Sequence, residues 1–382
     1  MKIIVDENIP FAREAFGTLG EVESVAGRAL TNAAVRDTRL LIIRSVTRVD
    51  EELLAGSAVR FVGTATIGFE HVDREYLAEH GVAFASAPGS NAVSVAEYVM
   101  TALSTLAGRS LAALEGASIG VVGVGNVGSR VARMAPALGL RAVLNDPPRQ
   151  RAGAQELFRP LDEALACDVV TLHVPLTKTG SDATWHMANE EFFAKMRPGA
   201  VFINTSRGGA VDGNALLGAL ESGKVRAAVL DVFEDEPDID WELARRAAIA
   251  TPHIAGYSYD GKVRGTQMIY AAACEFAGVR PAWQPQLPPS SVPIMTFVKP
   301  RDGQEVLRSA MRAVYDVERD DAALRRGLDL AQEKRAAHFD ALRKEYPIRR
   351  EFHNTTAVLL GGSSGLAERL GTLGFKTRAK TP

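Results

Sequence analysis

The segment SIGVVGVGNVG at residues 118–128 decides the fold that this sequence predicts. An apolar run, SIGVV, leads directly into the glycine-rich motif GVGNVG at 123–128. Apolar residues then recur at helical spacing, at Val127, Val131, Met134 and Leu138. A strand, a tight glycine-rich turn and a helix in this order are typical of the first unit of a Rossmann sheet. The sequence therefore predicts a dinucleotide-binding domain.

The glycines of this motif have separate physical tasks. Gly123 permits the tight turn, Gly125 lets the backbone approach a pyrophosphate, and Gly128 allows the helix to pack closely on the strand. The N–H groups at the start of the helix would bind the anionic pyrophosphate. A methyltransferase loop or a non-binding turn could share these glycines, so residues further along the chain have to decide between the alternatives.

A carboxylate after the next predicted strand indicates which dinucleotide is bound. Asp146 ends the run LRAVLND, 18 residues beyond Gly128. There it can accept hydrogen bonds from the adenosine ribose and would repel a 2′-phosphate, which favours NAD over NADP. Arg149 lies close by and weakens that preference. The predicted cofactor-binding residues are Gly123, Gly125, Asn126, Val127, Gly128, Asp146, Asp231 and Gly256, with Asp231 assigned to the nicotinamide carboxamide.

Apolar, β-rich runs alternate with helical stretches on both sides of the glycine motif. The runs lie at 2–6, 40–45, 59–66 and 82–86, and then near 118–122, 140–145, 168–174, 200–205, 227–232 and 248–252. Alternation of this kind favours parallel sheets covered by helices. We expect an α/β protein with a doubly wound parallel Rossmann sheet, a flavodoxin-like substrate domain and a small C-terminal α+β module.

Two helical segments and one proline-rich stretch predict the domain boundaries. A helix near 91–108 would carry the chain out of the first domain, and one near 257–278 would return to it. PAWQPQLPPSSVP at 281–293 indicates a linker, because proline can continue neither a helix nor a sheet ladder. The predicted parts are a substrate (lid) domain at 1–90 plus 257–280, an NAD-binding domain with its entry helix at 91–256, the linker at 281–293 and a C-terminal module at 294–382.

Three polar residues follow predicted strands of the nucleotide domain and form a candidate catalytic set. They are Arg207 in INTSRGGAVD, Glu236 in LDVFEDEP and His253 in TPHIAG. Oxidation of an alcohol needs a base of near-neutral pKa, which histidine supplies, and a carboxylate that fixes its tautomer. A guanidinium can bind a substrate carboxylate through two hydrogen bonds. Each residue alone would more often be structural, but their order after the dinucleotide motif favours a 2-hydroxy-acid dehydrogenase.

Composition and charge exclude several other classes of protein. The 382 residues are 46% hydrophobic and 24% charged, with a net charge of −2, which indicates a globular protein without a basic field for nucleic acid. No stretch is long enough for a membrane span, and the two cysteines lack metal-ligand spacing. We expect a cytoplasmic protein that binds neither membrane, nucleic acid nor metal.

Over residues 1–280 the chain resembles the D-isomer-specific 2-hydroxy-acid dehydrogenase family. The resemblance is carried by GVGNVG with Asp146, VFINTSRGGAVD at 201–212, VLDVFEDEP at 229–237 and TPHIAG at 251–256. It implies that Arg207, Glu236 and His253 are the catalytic arginine, glutamate and proton-handling histidine. The approach to the glycine motif, GRSLAALEGASIG, is short and alanine-rich beside the family pattern.

Further segments resemble the branch of this family that oxidises 4-phospho-D-erythronate in vitamin B6 biosynthesis. They are IIRSVTRV at 42–49, TATIGFEHVD at 64–73, SNAVSVAEYV at 90–99 and HIAGYSYDGKVRGT at 253–266. The resemblance implies a homodimer built through the C-terminal module. Donors at Arg44, Ser45 and Thr66, together with Tyr257, are the predicted substrate-binding residues. The pair Arg349 and Arg350 is interpreted as a solvated face.

Two alternatives remain at this point. The substrate could be another 2-hydroxy acid such as 3-phosphoglycerate, hydroxypyruvate or glyoxylate, and a regulatory amino-acid-binding βαββαβ tail would favour the first of these. A protein of a different class, an NAD-sensing interaction protein, could keep the fold without catalysis.

Overall fold

The structure is a computed structural model that describes residues 1–361 and 364–380. Residues 362–363 and 381–382 of the predicted C-terminal module lie outside this range. The strands are β1 Lys2–Asp6, β2 Glu21–Val25, β3 Leu40–Ile43, β4 Phe61–Thr64, β5 Ala83–Ser86, β6 Ser118–Val122, β7 Arg141–Asn145, β8 Val169–Leu172, β9 Ala200–Asn204, β10 Val225–Leu230, β11 Ile249–Ala250, β12 Ile294–Val298, β13 Thr356–Leu360 and β14 Lys376–Lys380.

The helices range from single turns to the 18 residues of the longest one. They are α1 Ala12–Phe16, α2 Asn32–Val35, α3 Glu51–Leu54, α4 Arg74–Glu79, α5 Ala92–Gly108, α6 Gly128–Met134, α7 Pro147–Arg151, α8 Leu161–Leu165, α9 Glu190–Lys195, α10 Gly213–Glu221, α11 Trp241–Arg246, α12 Tyr259–Phe276, α13 Gly303–Val314, α14 Val317–Arg325, α15 Gln332–Lys344 and α16 Ser364–Thr372. None within the described ranges is long and apolar enough to cross a bilayer.

The first compact unit comprises Met1–Asn91 and Ser258–Pro288. Its five parallel strands have the order β2-β1-β3-β4-β5, which is the flavodoxin-like order. Alternate residues of β1 and β3 face opposite sides, so that Ile3 and Leu40 pack with α1 and α12 while Ile4 and Leu41 pack with α2 to α4. Both faces of the sheet are therefore buried, as a parallel sheet requires.

The second unit comprises Ala92–Tyr257 and Pro289–Pro382, and a six-stranded parallel sheet forms its centre. The order is β11-β10-β9-β8-β6-β7, and a single bridge from Leu144 to Phe158 continues the sheet beyond β7. One face packs against α5 and α6 and the other against α9, α10 and α11. The carboxyl ends of β6 to β11 consequently meet at one edge, where ligands bind in sheets of this kind.

The C-terminal module belongs to the second unit. Its sheet, β12-β13-β14, is parallel, and its helix α13 packs on α5 with Leu307 and Met311 fully buried. One apolar core thus joins this module to the six-stranded sheet. The order of three parallel strands differs from a βαββαβ arrangement, so the tail gives no support to the amino-acid-binding alternative.

The fold class predicted from the sequence is confirmed. The Rossmann sheet, the flavodoxin-like sheet and a small module of helices and strands are all present. Strand β2 was not among the predicted strands, because its sequence EVESV alternates without a strongly apolar face. The predicted domain boundaries remain a prediction, and the structure divides the chain into two compact units.

Candidate active site

The glycine motif connects β6 to α6 as the sequence predicts. A Cβ on Gly128 would lie 2.0 Å from the carbonyl oxygen of Gly123, so only glycine allows this approach of helix and loop. Gly125 is exposed, and a Cβ there would meet no atom within 4 Å. The turn therefore presents open backbone at the carboxyl edge of the sheet, which fits a pyrophosphate.

Asp146 holds the glycine loop in place, and its contact with a ribose remains a prediction. Its carboxylate accepts hydrogen bonds from the N–H of Val124 at 2.8 Å and from that of Arg149 at 3.0 Å. The Arg149 side chain forms an ion pair with Glu156 at 2.7 Å and also donates to the Val124 carbonyl. Because that guanidinium is already engaged, it does not offset the carboxylate, and the residues present fit NAD better than NADP.

The three candidate catalytic residues follow adjacent strands at one edge of the sheet. Arg207 follows β9, Glu236 follows β10 and His253 follows β11. Gly208 brings the first two loops together, since a Cβ on it would lie 1.9 Å from the carbonyl carbon of Phe233. The Arg207 side chain donates to the carbonyl of Ser206 at 2.8 Å and is half-buried.

The structure brings His253 and Glu236 into direct contact. His253 Nδ1 lies 2.7 Å from Glu236 Oε2, and the other carboxylate oxygen accepts a bond from the Phe233 N–H at 2.9 Å. An ionised carboxylate can only accept, so Nδ1 carries a proton, and in the neutral form of the ring Nε2 keeps a lone pair. The imidazole is 34% exposed, and its free nitrogen can therefore take a proton from a substrate.

The pKa of Glu236 shows that its charged form is stabilised. Burial alone would raise the pKa of this carboxyl. The positive charge and hydrogen bond of His253, the N–H of Phe233 and the charge of Arg343 outweigh burial and hold the pKa of Glu236 below its ordinary value. The carboxylate is therefore ionised at neutral pH and can stabilise an imidazolium on His253.

Asp231 organises the loop that carries His253. Its buried carboxylate accepts hydrogen bonds from Thr251 Oγ1 at 2.6 Å, from the N–H of Ile254 at 2.8 Å and from that of Ala255 at 2.9 Å. Burial raises its pKa to about 6, although nearby His253 and these donors act in the opposite direction. The contact with a nicotinamide carboxamide remains a prediction, and what the structure shows is support of the loop.

Comparisons with known proteins agree with this geometry. Residues 91–255 match the model of the D-isomer specific 2-hydroxyacid dehydrogenase NAD-binding domain, and residues 286–374 match a domain of unknown function (DUF3410). Erythronate-4-phosphate dehydrogenase of Marinobacter nauticus is 46% identical over 99% of this chain and 100% of its own length. The chain belongs to the D-isomer specific 2-hydroxyacid dehydrogenase family. It is an NAD-dependent dehydrogenase.

Other members of the family support the same assignment. Erythronate-4-phosphate dehydrogenase of Cronobacter sakazakii is 48% identical over 92% of both chains. The crystal structure of D-lactate dehydrogenase from Aquifex aeolicus, complexed with NAD and lactic acid, matches with a TM-score of 0.60 and 28% identity. That match covers 96% of the lactate dehydrogenase but 73% of this chain. About a quarter of the present chain therefore has no counterpart in the lactate dehydrogenase.

The predicted substrate residues of this dehydrogenase lie in different parts of the chain. Arg44 and Ser45 follow β3, and Thr66 follows the neighbouring strand β4, all within the first unit. The Thr66 hydroxyl lies 2.7 Å from that of Thr64 and donates to the Gly68 carbonyl at 3.0 Å. Ser45 is exposed and Arg44 half-buried, and their substrate role stays a prediction.

Tyr257 lies in the second unit, and the C-terminal module of this dehydrogenase surrounds its ring. The Tyr346 ring packs edge-on against it with 5.7 Å between centroids, and Arg343 Cζ lies 5.9 Å from its centre. Sequence reasoning missed Arg343 and Tyr346, because neither belongs to a motif. The sequence feature that could have drawn attention to them is a positively charged and an aromatic side chain close together at the end of a helical segment.

The interpretation of Arg349 and Arg350 as a solvated face is wrong. They are 5% and 8% exposed. Arg349 stacks 4.0 Å from the Tyr315 ring centre and donates to the carbonyls of Ser94 and Ala255, each at 2.9 Å. The segment packs against α5 and the His253 loop, which removes these arginines from water.

His173 is a third residue that sequence reasoning missed. It follows β8, its ring nitrogens lie 3.0 Å from Thr171 Oγ1 and 3.3 Å from Thr205 Oγ1, and burial lowers its pKa to about 3. Its carbonyl oxygen would lie 2.6 Å from a Cβ on Gly123, so its backbone packs directly against the glycine turn. The neutral ring therefore belongs to the structure beneath the cofactor loop.

Proposed function

We propose that this dehydrogenase oxidises 4-phospho-D-erythronate at C2 to (R)-3-hydroxy-2-oxo-4-phosphooxybutanoate with NAD, as a step of vitamin B6 biosynthesis. The observation that carries the proposal is the full-length similarity to proteins named erythronate-4-phosphate dehydrogenase, 44–48% identical, which extends through the C-terminal module. The solved lactate enzyme, by contrast, lacks a counterpart for about a quarter of the chain.

His253 is the proposed general base. Its Nε2 takes the proton of the 2-hydroxyl, and Glu236, at 2.7 Å from Nδ1, holds the ring and stabilises the positive charge that develops. When bound between these residues and the glycine loop, NAD supplies the acceptor for the hydrogen that leaves C2. Microscopic reversibility makes His253 the proton donor in the direction of reduction.

Arg207 is the proposed carboxylate ligand. A guanidinium at the end of β9 can donate two parallel hydrogen bonds to the substrate carboxylate and polarise the oxygen on C2. Its backbone is fixed because Asn204 Nδ2 donates to the Arg207 carbonyl at 2.9 Å. Arg44, Ser45, Thr66 and Tyr257 are proposed to bind the rest of the substrate.

The substrate is tested by turnover of the purified protein. Nicotinamide absorbance is followed with 4-phosphoerythronate, 3-phosphoglycerate, glycerate and lactate, each with and without a 2-oxo acid as electron acceptor. We expect the highest kcat/KM with 4-phosphoerythronate. A higher value with 3-phosphoglycerate or glycerate would reject the substrate and leave the family assignment intact.

We also propose that the protein is a cytoplasmic homodimer formed through the C-terminal module. The exposed face of its sheet is apolar at one edge: Ile294 and Val298 on the edge strand β12 are 60% and 66% exposed, beside Val358 and Leu360 of β13, whereas β14 adds Lys376 and Arg378 to the same face. Exposed apolar faces of this kind mark interaction surfaces. Both cysteines are buried free thiols, which suits a reducing compartment.

A further inference from the structure

The helix α15 of the C-terminal module carries two arginines that lie over aromatic rings, and their surroundings differ. Arg335 lies 5.6 Å from the Trp241 ring centre, and its Nε and Nη2 donate to the carbonyls of Leu330 and Leu328, both at 3.1 Å. These hydrogen-bond donors of Arg335 are thus paired with backbone carbonyls. A structural role is sufficient to explain this arginine.

Arg343 lies two turns further along the same helix and is not accounted for in this way. Its Cζ lies 5.9 Å from the Tyr257 ring centre and 6.0 Å from that of Phe339, and its Nε is buried without a hydrogen-bond partner among the described residues. Leaving a buried donor on a charged group unpaired is energetically unfavourable. Nε is thus a buried donor for which the described residues supply no acceptor.

The site that Arg343 faces is the catalytic one. Tyr257 follows His253 by four residues in the same loop, and the charge of Arg343 contributes to the lowered pKa of Glu236. Burial would lower the pKa of Arg343, but the charges of Tyr257, Glu236 and Asp340 and a hydrogen bond to Tyr257 raise it above the ordinary value, so the guanidinium stays charged. A permanent positive charge therefore lies beside the His253–Glu236 pair.

The proposed substrate carries two anionic groups, and Arg207 binds one of them, so the phosphate needs a cation of its own besides the donors proposed in the first unit. The carboxylate is bonded to the reacting C2 carbon, whereas the phosphate is on C4, two carbons further away. A planar guanidinium with a free Nε is suited to two parallel hydrogen bonds with a phosphate. The Tyr257 and Phe339 rings lie within cation–π range of that guanidinium.

We propose that Arg343 is a substrate-binding residue that recognises the phosphate of the substrate from the C-terminal module. This gives the module, which matches a domain of unknown function, a part in substrate selection. The inference rests on the proposed function, because it takes the substrate to be a phosphorylated 2-hydroxy acid.

The test compares phosphorylated and unphosphorylated acids in variants of α15. We expect Arg343→Gln to lower kcat/KM for 4-phosphoerythronate by about 100- to 1000-fold and that for erythronate by no more than about threefold. Arg343→Lys keeps the charge without the planar fork and should fall between Arg343→Gln and the unmodified protein. The matched control, Arg335→Gln, should leave the ratio of the two kcat/KM values unchanged.

Equal losses for both acids in Arg343→Gln and in Arg343→Lys would overturn the proposal, because they would indicate a purely structural role. Competitive inhibition by inorganic phosphate gives a second readout with whichever acid the enzyme prefers, and its inhibition constant should rise at least about tenfold in Arg343→Gln. An unchanged constant would also overturn the role of Arg343. If the unmodified enzyme shows no preference for phosphorylated acids, the proposed substrate fails, and the phosphate measurement still decides the role of the arginine.

Discussion

His253 depends on its neighbours for both its backbone conformation and its tautomer. Its φ of 55° lies in the left-handed region, where residues other than glycine, asparagine and aspartate are uncommon. The N–H donates to the Asp231 carbonyl at 2.7 Å, and the ring is held by Glu236. Strained backbone of this kind persists only where surrounding structure enforces it, and it is found preferentially at active sites.

Replacing His253 by asparagine tests the catalytic pair directly. Asparagine tolerates the left-handed backbone but cannot act as a base, so we expect kcat to fall by roughly 10²–10⁴-fold while NAD binding, followed by calorimetry, is unchanged. The control is His186→Asn, because His186 also has a positive φ of 48° and also pairs with a carboxylate, Glu234, at 2.7 Å. Comparable losses in both variants would contradict the assignment of His253.

His173 makes the stability of the second unit depend on pH. Its pKa of about 3 in the folded protein lies below the ordinary 6.5. Between these two pH values the unfolded chain is protonated at this histidine and the folded chain is not. The stabilisation is complete above pH 6.5 and is lost as the pH falls toward 3. Urea unfolding should show a loss of about 2 kcal/mol between pH 6.5 and pH 5 from this residue.

The contribution of His173 is isolated by a variant that cannot titrate. His173→Gln should remove that part of the pH dependence, whereas His80→Gln, at an exposed histidine, should retain it. Parallel pH profiles in the His173 variant and the unmodified protein would show that another group is responsible.

At the level of elements, the loop after β9 fits against the loop after β10 only because Gly208 lacks a side chain. A Cβ there would lie 1.9 Å from the backbone of Phe233, so Gly208→Ala must displace Arg207, Glu236 or both. Displacements near 1 Å can cost about 100-fold in rate, and we expect a loss of kcat of that order with NAD binding preserved. Steady-state kinetics and a cofactor titration measure the two effects.

A glycine with open space at its Cβ position provides the control for this substitution. Gly218 lies within α10, where a Cβ would meet no atom within 4 Å, so Gly218→Ala should leave kcat unchanged and stabilise the helix by about 0.5–1 kcal/mol. An unchanged kcat in Gly208→Ala would show that the contact between the two loops does not position the catalytic residues.

The elements that the sequence predicts correctly are those in which local pattern and tertiary position agree. The runs at β6 to β11 are apolar because both faces of the sheet are buried, and the polar residues that follow them fall at one edge because the strands are parallel. Arg343 and Arg349 show where this reasoning ends. Arg349 binds Ser94 across 255 residues of sequence, and no local periodicity reports such a contact.

At the scale of the whole molecule, the C-terminal module is continuous with the catalytic unit. The Phe352 N–H donates to Glu97 on α5 at 2.8 Å, and Arg349 donates to the Ala255 carbonyl, two residues beyond His253. The position of the module and that of the loop around His253 are therefore linked by direct hydrogen bonds. Association of two chains through its sheet would therefore act on the same structure that carries His253, the proposed base.

The proposed dimer is tested at the edge strand β12. A charge at Val298, which is 66% exposed on the apolar face, should prevent two such faces from packing, because burying an unpaired carboxylate costs several kcal/mol. We expect Val298→Glu to halve the mass measured by light scattering after gel filtration. Val279→Glu, at a 48% exposed position outside this module, should keep the mass of the unmodified protein. A dimer that survives Val298→Glu with the same dissociation constant would place the interface elsewhere, whereas a monomer with a lowered kcat would show that association supports the His253 loop.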